Sequence, residues 1–176
     1  MDDDVIDISQ ADPFFAREIA AQPGGEYIRR CFACGTCTAS CPVREVTDRY
    51  DPRRIIHMAL LGLRDRVLSS DFIWLCSTCY ACQERCPQDV RITELMYAIK
   101  NIAVREGYVH ASFRTQVELL TAHGRLYDIT DFENERRQEQ GLPPIHERSE
   151  DFGRIFAATG LDTLVRARPE GEGDRD

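Results

Sequence analysis

The chain has 176 residues, a formal net charge of −8 and eight cysteines. That length suits one domain with extensions, and it can bury a core without needing disulfides. The acidic balance argues against nucleic acid, whose affinity comes from Lys and Arg on phosphates, and no apolar run nears the roughly 18 residues of a membrane span.

In chain order, Asp12-Pro13 reads as a helix N-cap followed by Pro at the first helical position. Phe14, Phe15 and Ile19 supply its apolar stripe, and Pro23-Gly24-Gly25 closes it. A first cysteine window, Cys31 to Pro42, follows. Asp51-Pro52 repeats the start signal, and Ile55, Ile56, Ala59, Leu60 and Leu63 recur at helical spacing. A short helix is expected from Asp71 through Trp74 into a second window, Cys76 to Pro87. Thr93 is expected to cap a helix over 94–104, with Gly107 as its stop. Later helices are expected over 111–123 before Gly124, 131–140 before Gly141, and 149–159 before Gly160. The polar tail 169–176 reads as disordered. No alternating strand pair emerges, so the fold class is mainly α.

All eight cysteines fall in the two windows, and both read C-x2-C-x2-C-x3-C-P. A shift of 45 maps each cysteine, and the proline, of one onto the other. The acidic start, Met1-Asp2-Asp3-Asp4, is unlike a secretory signal, so the expected location is cytoplasmic, where thiols stay reduced and act as ligands. Three cysteines spaced by two residues let one tight loop reach three corners of a cubane. In two-cluster ferredoxins the fourth Cys binds the other cluster. The spacing therefore assigns Cys31, Cys34, Cys37 and Cys86 to one 4Fe–4S cluster, and Cys76, Cys79, Cys82 and Cys41 to a second. Zinc has no use for the third evenly spaced Cys or the Pro. A three-iron centre follows loss of one Cys, and none is missing. Each Pro is expected to end the local turn and stiffen the crossing point. Gly35 permits close backbone approach to the first cluster. Its counterpart is Tyr80, so the second loop is expected to lack that device; Tyr80 reads either as a water shield or as ordinary packing.

Four-Cys ligation leaves no open position, so the chemistry is one-electron transfer and no catalytic residue is assigned. His57 reads as a packed helix residue, and His110 and His123 as helix-end residues. Arg29 and Arg30 read equally as a solvated pair or as cations acting on the first cluster. Lys100 is the only lysine; the preference for arginine favours a component of a complex over a free carrier. No Gly-rich phosphate motif occurs, so no nucleotide or flavin site is argued.

The helical insert between Cys41 and Cys76 is similar to the α-helical ferredoxin domain of succinate dehydrogenase and fumarate reductase iron–sulfur subunits. More specifically, three segments resemble the C subunit of heterodisulfide reductase. They are Cys34-Gly35-Thr36-Cys37-Thr38-Ala39-Ser40-Cys41-Pro42, Cys76-Ser77-Thr78-Cys79-Tyr80-Ala81-Cys82 through Cys86-Pro87, and Met96-Tyr97-Ala98-Ile99-Lys100-Asn101. The resemblance covers residues 27–107. It implies two 4Fe–4S clusters on these eight cysteines and no substrate site on this chain. It also implies a hetero-oligomer, in which the chain relays electrons between an A subunit with flavin and Fe–S clusters and a disulfide-reducing B subunit with noncubane clusters. The expected organisation is an N-terminal helical extension (1–26), an α-helical ferredoxin domain (27–107), a helical partner-docking extension (108–168) and the tail (169–176). Phe113, Val117, Leu119 and Leu120 offer the docking face. The alternatives are an independent ferredoxin-like carrier, a module whose clusters only hold the fold or sense redox state, or the Fe–S subunit of another oxidoreductase such as a succinate dehydrogenase- or glycolate oxidase-like enzyme.

Overall fold

Asp51 opens a helix as its sequence promises: in the computed structural model, which describes residues 6, 8–145, 150–161 and 163, its Oδ1 accepts from Arg54 N at 3.0 Å. Pro52 sits in the first turn, where its missing N–H costs nothing. The elements in order are α1 (Phe15–Ala20), α2 (Thr36–Ala39), α3 (Pro42–Val46), α4 (Pro52–Leu60), α5 (Arg64–Leu68), α6 (Ala81–Glu84), α7 (Ile92–Arg105), α8 (Ala111–His123), α9 (Asp131–Glu139) and α10 (Glu150–Thr159). Three-residue 3-10 turns stand at Ile8–Gln10 and Ile28–Arg30, and a longer one at Asp71–Leu75. No strand occurs among the described residues.

The chain divides into two compact units, Met1–Tyr108 and Val109–Asp176. In the first, α7 is the central rod. It packs on α1, α5, α6 and the Asp71–Leu75 turn, while α4 packs on α1, α2 and α5. Phe15, Ile19, Ile28, Ile55, Ile56, Leu68, Ile73, Leu95, Ile99 and Ile102 form one core. Each such side chain contributes about 1.5–3 kcal/mol on burial. Phe15 and Ile19 show that the segment before residue 27 shares the core of the cysteine-bearing region. Arg64 ties that segment down: its guanidinium bonds Glu18 and Glu106, and lies 3.3 Å from Asp12 Oδ2.

In the second unit α10 packs on α8. Phe152 and Phe156 meet edge to face, with centroids 6.1 Å apart. His110 caps α8 by accepting from Ser112 N, and Gly124 (φ +66°) ends it. Thr130 and Glu133 form a capping box on α9. Asn134 then pins the following segment through both Ile145 backbone groups. Phe113 is exposed; Val117, Leu119 and Leu120 are half-buried. The expected tail, His146 and Ser149 lie outside the described residues.

Four expectations change. Asp12 Oδ1 does accept from Phe14 N at 2.8 Å, but the chain turns there and the helix starts only at Phe15. Thr93 is not the cap of α7: that position is Arg91, in the left-handed region, and Thr93 lies inside the helix, 1 % exposed. Pro42 does more than end a turn, because it opens α3. His57 is on the exposed face of α4, while Ile55, Ile56 and Ala59 take the buried face.

Candidate metal centre

Each cysteine window is built alike. A 3-10 turn (Ile28–Arg30 or Asp71–Leu75) delivers the first Cys in extended backbone. Two left-handed residues follow, Ala33 and Gly35 in the first loop (φ +58° and +87°), Thr78 and Tyr80 in the second (φ +55° and +64°). A four-residue helix then carries the third Cys, Cys37 on α2 and Cys82 on α6. The second loop therefore takes the same left-handed turn as the first, with Tyr80 where the first has Gly35. Tyr80 adopts it despite its Cβ, which costs about 1–2 kcal/mol.

α2 and α6 pack together, and this brings the windows into register. Arg85 Nη1 donates to Ser40 Oγ across the junction at 3.4 Å. One pocket, of about 320 Å³ with its open mouth, is lined by Cys31, Cys34, Cys37 and Cys86. A second, of about 260 Å³, is lined by Cys76, Cys79, Cys82 and Cys41. None of the eight is in a disulfide; Cys37 and Cys41 are buried, while Cys34 and Cys79 are exposed. Among the described residues no three His, Cys, Asp or Glu side chains converge as on a single ion. The sulfurs instead stand around the pocket walls, which suits a polynuclear group with one thiolate per corner.

The electrostatics also fit a cationic core. Burial pushes the Cys37 thiol up to about 11, and burial raises Cys82 as well. Such groups ionise readily only against positive charge, which iron held there would supply. The exposed Cys34 goes the other way: the Thr36 hydroxyl, 3.4 Å away, holds its thiol below the ordinary range. Val90 N–H donates to Cys86 Sγ at 3.5 Å, and Thr93 Oγ1 lies 3.9 Å from Cys82 Sγ.

Several neighbours of these pockets escape sequence reasoning. Tyr50 lines the second pocket, 2 % exposed. Burial, and then the charge of the Cys76 sulfur, push its phenol above the ordinary range. Only its place just before the Asp51-Pro52 cap hints at a fixed position. Thr93 and Val90 carry no motif. Lys100 stands out as the lone lysine, yet its surroundings do not show in the sequence: it is 8 % exposed, with Nζ 5.8 Å from the Trp74 ring centroid and 6.0 Å from that of Tyr97. Burial lowers its pKa, and the Cys76 charge opposes that. Tyr80 lines the second pocket but stays 43 % exposed. Arg30 stacks 4.0 Å over Tyr27 and lies 3.9 Å from Asp89, while Arg29 is exposed.

Residues 27–90 match the family model described as a 4Fe-4S dicluster domain. Over 171 residues the chain is 35% identical to the C subunit of the H(2):CoB-CoM heterodisulfide,ferredoxin reductase of Methanothermobacter marburgensis, covering 93% of this chain and 91% of the relative. It is 42% identical over 116 residues to an iron-sulfur C subunit, C 2, of the CoB--CoM heterodisulfide reductase of Methanocaldococcus jannaschii, 66% of this chain and 61% of that one. It is 40% identical over 122 residues to the C subunit of the Ferredoxin:CoB-CoM heterodisulfide reductase of Methanosarcina mazei, 69% and 74% respectively.

Proposed function

The chain belongs to the heterodisulfide reductase C-subunit family, iron–sulfur electron-transfer components of an oxidoreductase complex, and on that premise we propose that it carries two 4Fe–4S clusters with crossed ligands. Cys31, Cys34, Cys37 and Cys86 hold one; Cys76, Cys79, Cys82 and Cys41 hold the other. The observation that supports this is the lining of the two pockets, each with three sulfurs from one window and the fourth from the other. A cluster bound by four thiolates supplies one-electron transfer and offers no site for a substrate. The protein's part is to fix the sulfurs, exclude water and set the charge around them. Cys37 and Cys41 keep each site closed toward the core, and exposed Cys34 and Cys79 leave it open toward solvent, where an electron can enter or leave.

The chain then works as a cytoplasmic relay between a flavin- and cluster-bearing A subunit and a B subunit that reduces a disulfide on noncubane clusters. The relatives' names, which specify the CoB–CoM heterodisulfide, support that class of acceptor. Exposed apolar side chains in the second unit, Leu126, Tyr127, Phe132 and Ile155, support partner docking there. No helix among the described residues is long and apolar enough to cross a membrane. The test is purification of the native complex under argon, followed by mixing with a low-potential donor. A flavoprotein and a cysteine-rich chain should co-purify, and the clusters of this chain should be reduced and reoxidised within the turnover time. A monomer without such partners, trading electrons with unrelated reductases, would favour an independent carrier.

A further inference from the structure

The two loops are so alike that they do not by themselves distinguish the two sites. They share cysteine spacing, left-handed positions and a short helix; each site has one threonine hydroxyl near a sulfur, Thr36 at Cys34 and, from α7, Thr93 at Cys82, and the first also has Val90 N–H on Cys86 Sγ. The difference lies behind the first cysteine of the second window. There, Tyr50 is sealed in the core and lines the same pocket wall as Cys76. Lys100 comes from α7, almost fully buried, with its ammonium near the Trp74 and Tyr97 rings, whose faces favour a cation. It forms no ion pair with a carboxylate among the described residues; the Trp74 ring beside it belongs to the turn that α7 packs against and that leads directly into Cys76.

A buried cation without a counter-charge is costly, so this position makes sense opposite a negative group. The cations near the first site differ. Arg53 lines that pocket from an exposed position, Arg29 is exposed, and Arg30 is engaged by Asp89 and Tyr27. Water and salt screen all three. Among the described residues, a cation shielded from solvent stands beside the second site, behind the turn that leads into Cys76.

We propose, on the two-cluster reading above, that Lys100 and Tyr50 make the site of Cys76, Cys79, Cys82 and Cys41 the more readily reduced of the two, so that a single electron shared by the pair rests there. Adding an electron adds one negative charge, which the buried ammonium and the phenol proton both stabilise. When the electron passes between the sites, one is oxidised by one electron and the other reduced by one. No bond is made or broken and no proton moves.

The test is an EPR-monitored redox titration of the iron-loaded full-length chain, with signals assigned by Cys34→Ser for the first site and Cys79→Ser for the second. Lys100→Met should lower the reduction equilibrium constant of the second site about tenfold, a shift of about 59 mV for one electron. The first site should stay in place. Lys100→Arg, which keeps the charge, should hold the native midpoint, and Tyr50→Phe should lower the same site by less. The proposal is overturned if Lys100→Met leaves both midpoints in place or moves the first, or if Lys100→Arg falls as far as Lys100→Met. Should Lys100→Met fail to load, Lys100→Gln takes its place. Iron lost from the second site in both neutral variants but kept in Lys100→Arg also supports a counter-charge. Loss in all three means packing alone and overturns it. The iron and sulfide count of the unaltered chain tests the underlying reading separately, because fewer than two clusters would sink that reading whatever the variants do.

Discussion

Gly35 and Tyr80 hold equivalent places in the two cysteine loops and take the same left-handed backbone, φ +87° and +64°. Only the glycine does so without strain. A Cβ at Gly35 would meet no protein atom beyond its chain neighbours closer than Arg53 Cδ at 3.8 Å, so within the protein Gly35→Ala is penalised through its backbone. A loss of about 1 kcal/mol is expected. Tyr80→Gly removes the corresponding strain from the second loop, and its ring is partly exposed, so a gain of similar size, about 1 kcal/mol, is expected. Anaerobic urea unfolding of the iron-loaded chain measures both. A Tyr80→Gly variant less stable than the unaltered chain would show that the ring's cover of the second pocket outweighs the strain.

Asp51 joins the first loop to α4. Thr38 Oγ1 donates to its Oδ1 at 2.5 Å, and Thr38 in turn accepts from Arg53 N at 3.1 Å. Partial burial works against ionisation of Asp51. The hydrogen bonds from Thr38 and Arg54 N–H, with Arg44 and Arg53 nearby, outweigh it and hold the carboxyl below the usual range. The folded value is depressed, so the stabilisation is complete above the unfolded value of about 3.9 and is lost as pH falls through the folded one. Asp51→Ala should cost about 1 kcal/mol at neutral pH, the usual worth of an N-cap. Asp51→Asn should keep much of the cap while losing that part of the acid dependence. Unfolding midpoints between pH 6 and 3 check this, and an Asn variant with the native pH profile would refute it.

Gly62 is required for a different reason. A Cβ there would lie 2.3 Å from the Asp12 carbonyl oxygen, and φ is +78°. Its own carbonyl accepts from Asp12 N at 2.8 Å, next to the Arg64 contact with Asp12. Gly62→Ala should therefore push the segment leading into α1 off α4 and cost about 2–4 kcal/mol. Arg64→Met, which leaves the backbone seam intact, should cost less. Thermal melts rank the two, and the reverse order would place the seam's stability in the charge cluster.

Most helices were legible because their punctuation is local. Asp51-Pro52 starts one, and Gly107, Gly124, Gly141 and Gly160 each take positive φ just past an expected helix. The repeat of the cysteines was legible for the same reason. What did not show is decided by packing. Thr93 has the look of a cap, yet α7 begins one residue earlier and turns Thr93 toward Cys82. His57 sits among apolar neighbours in sequence but falls on the outer face of α4. Tyr50 and Lys100 lie far apart in the chain. Only the folding of one core sets Tyr50 in the Cys76 pocket and Lys100 beside Trp74, at the turn leading into Cys76.

The last prediction concerns the crossing itself. Cys41 lies in the first window but lines the pocket of the second, and Cys86 does the reverse. Single substitutions do not separate crossed from uncrossed ligation cleanly, since a cluster can survive loss of one thiolate by recruiting another ligand. Pairs do. With crossed ligands, Cys34→Ala with Cys86→Ala removes two thiolates from one site and spares the other. Cys34→Ala with Cys41→Ala removes one from each. The first pair should retain about half of the native iron with one unaltered EPR signal, because four cysteines still close the second site. The second pair should perturb both signals. Anaerobic iron analysis with EPR reads the difference directly. If the Cys34–Cys41 pair kept one native signal and the Cys34–Cys86 pair kept none, each window would hold its own cluster. The packing of α2 on α6 would then serve the fold and not the ligation.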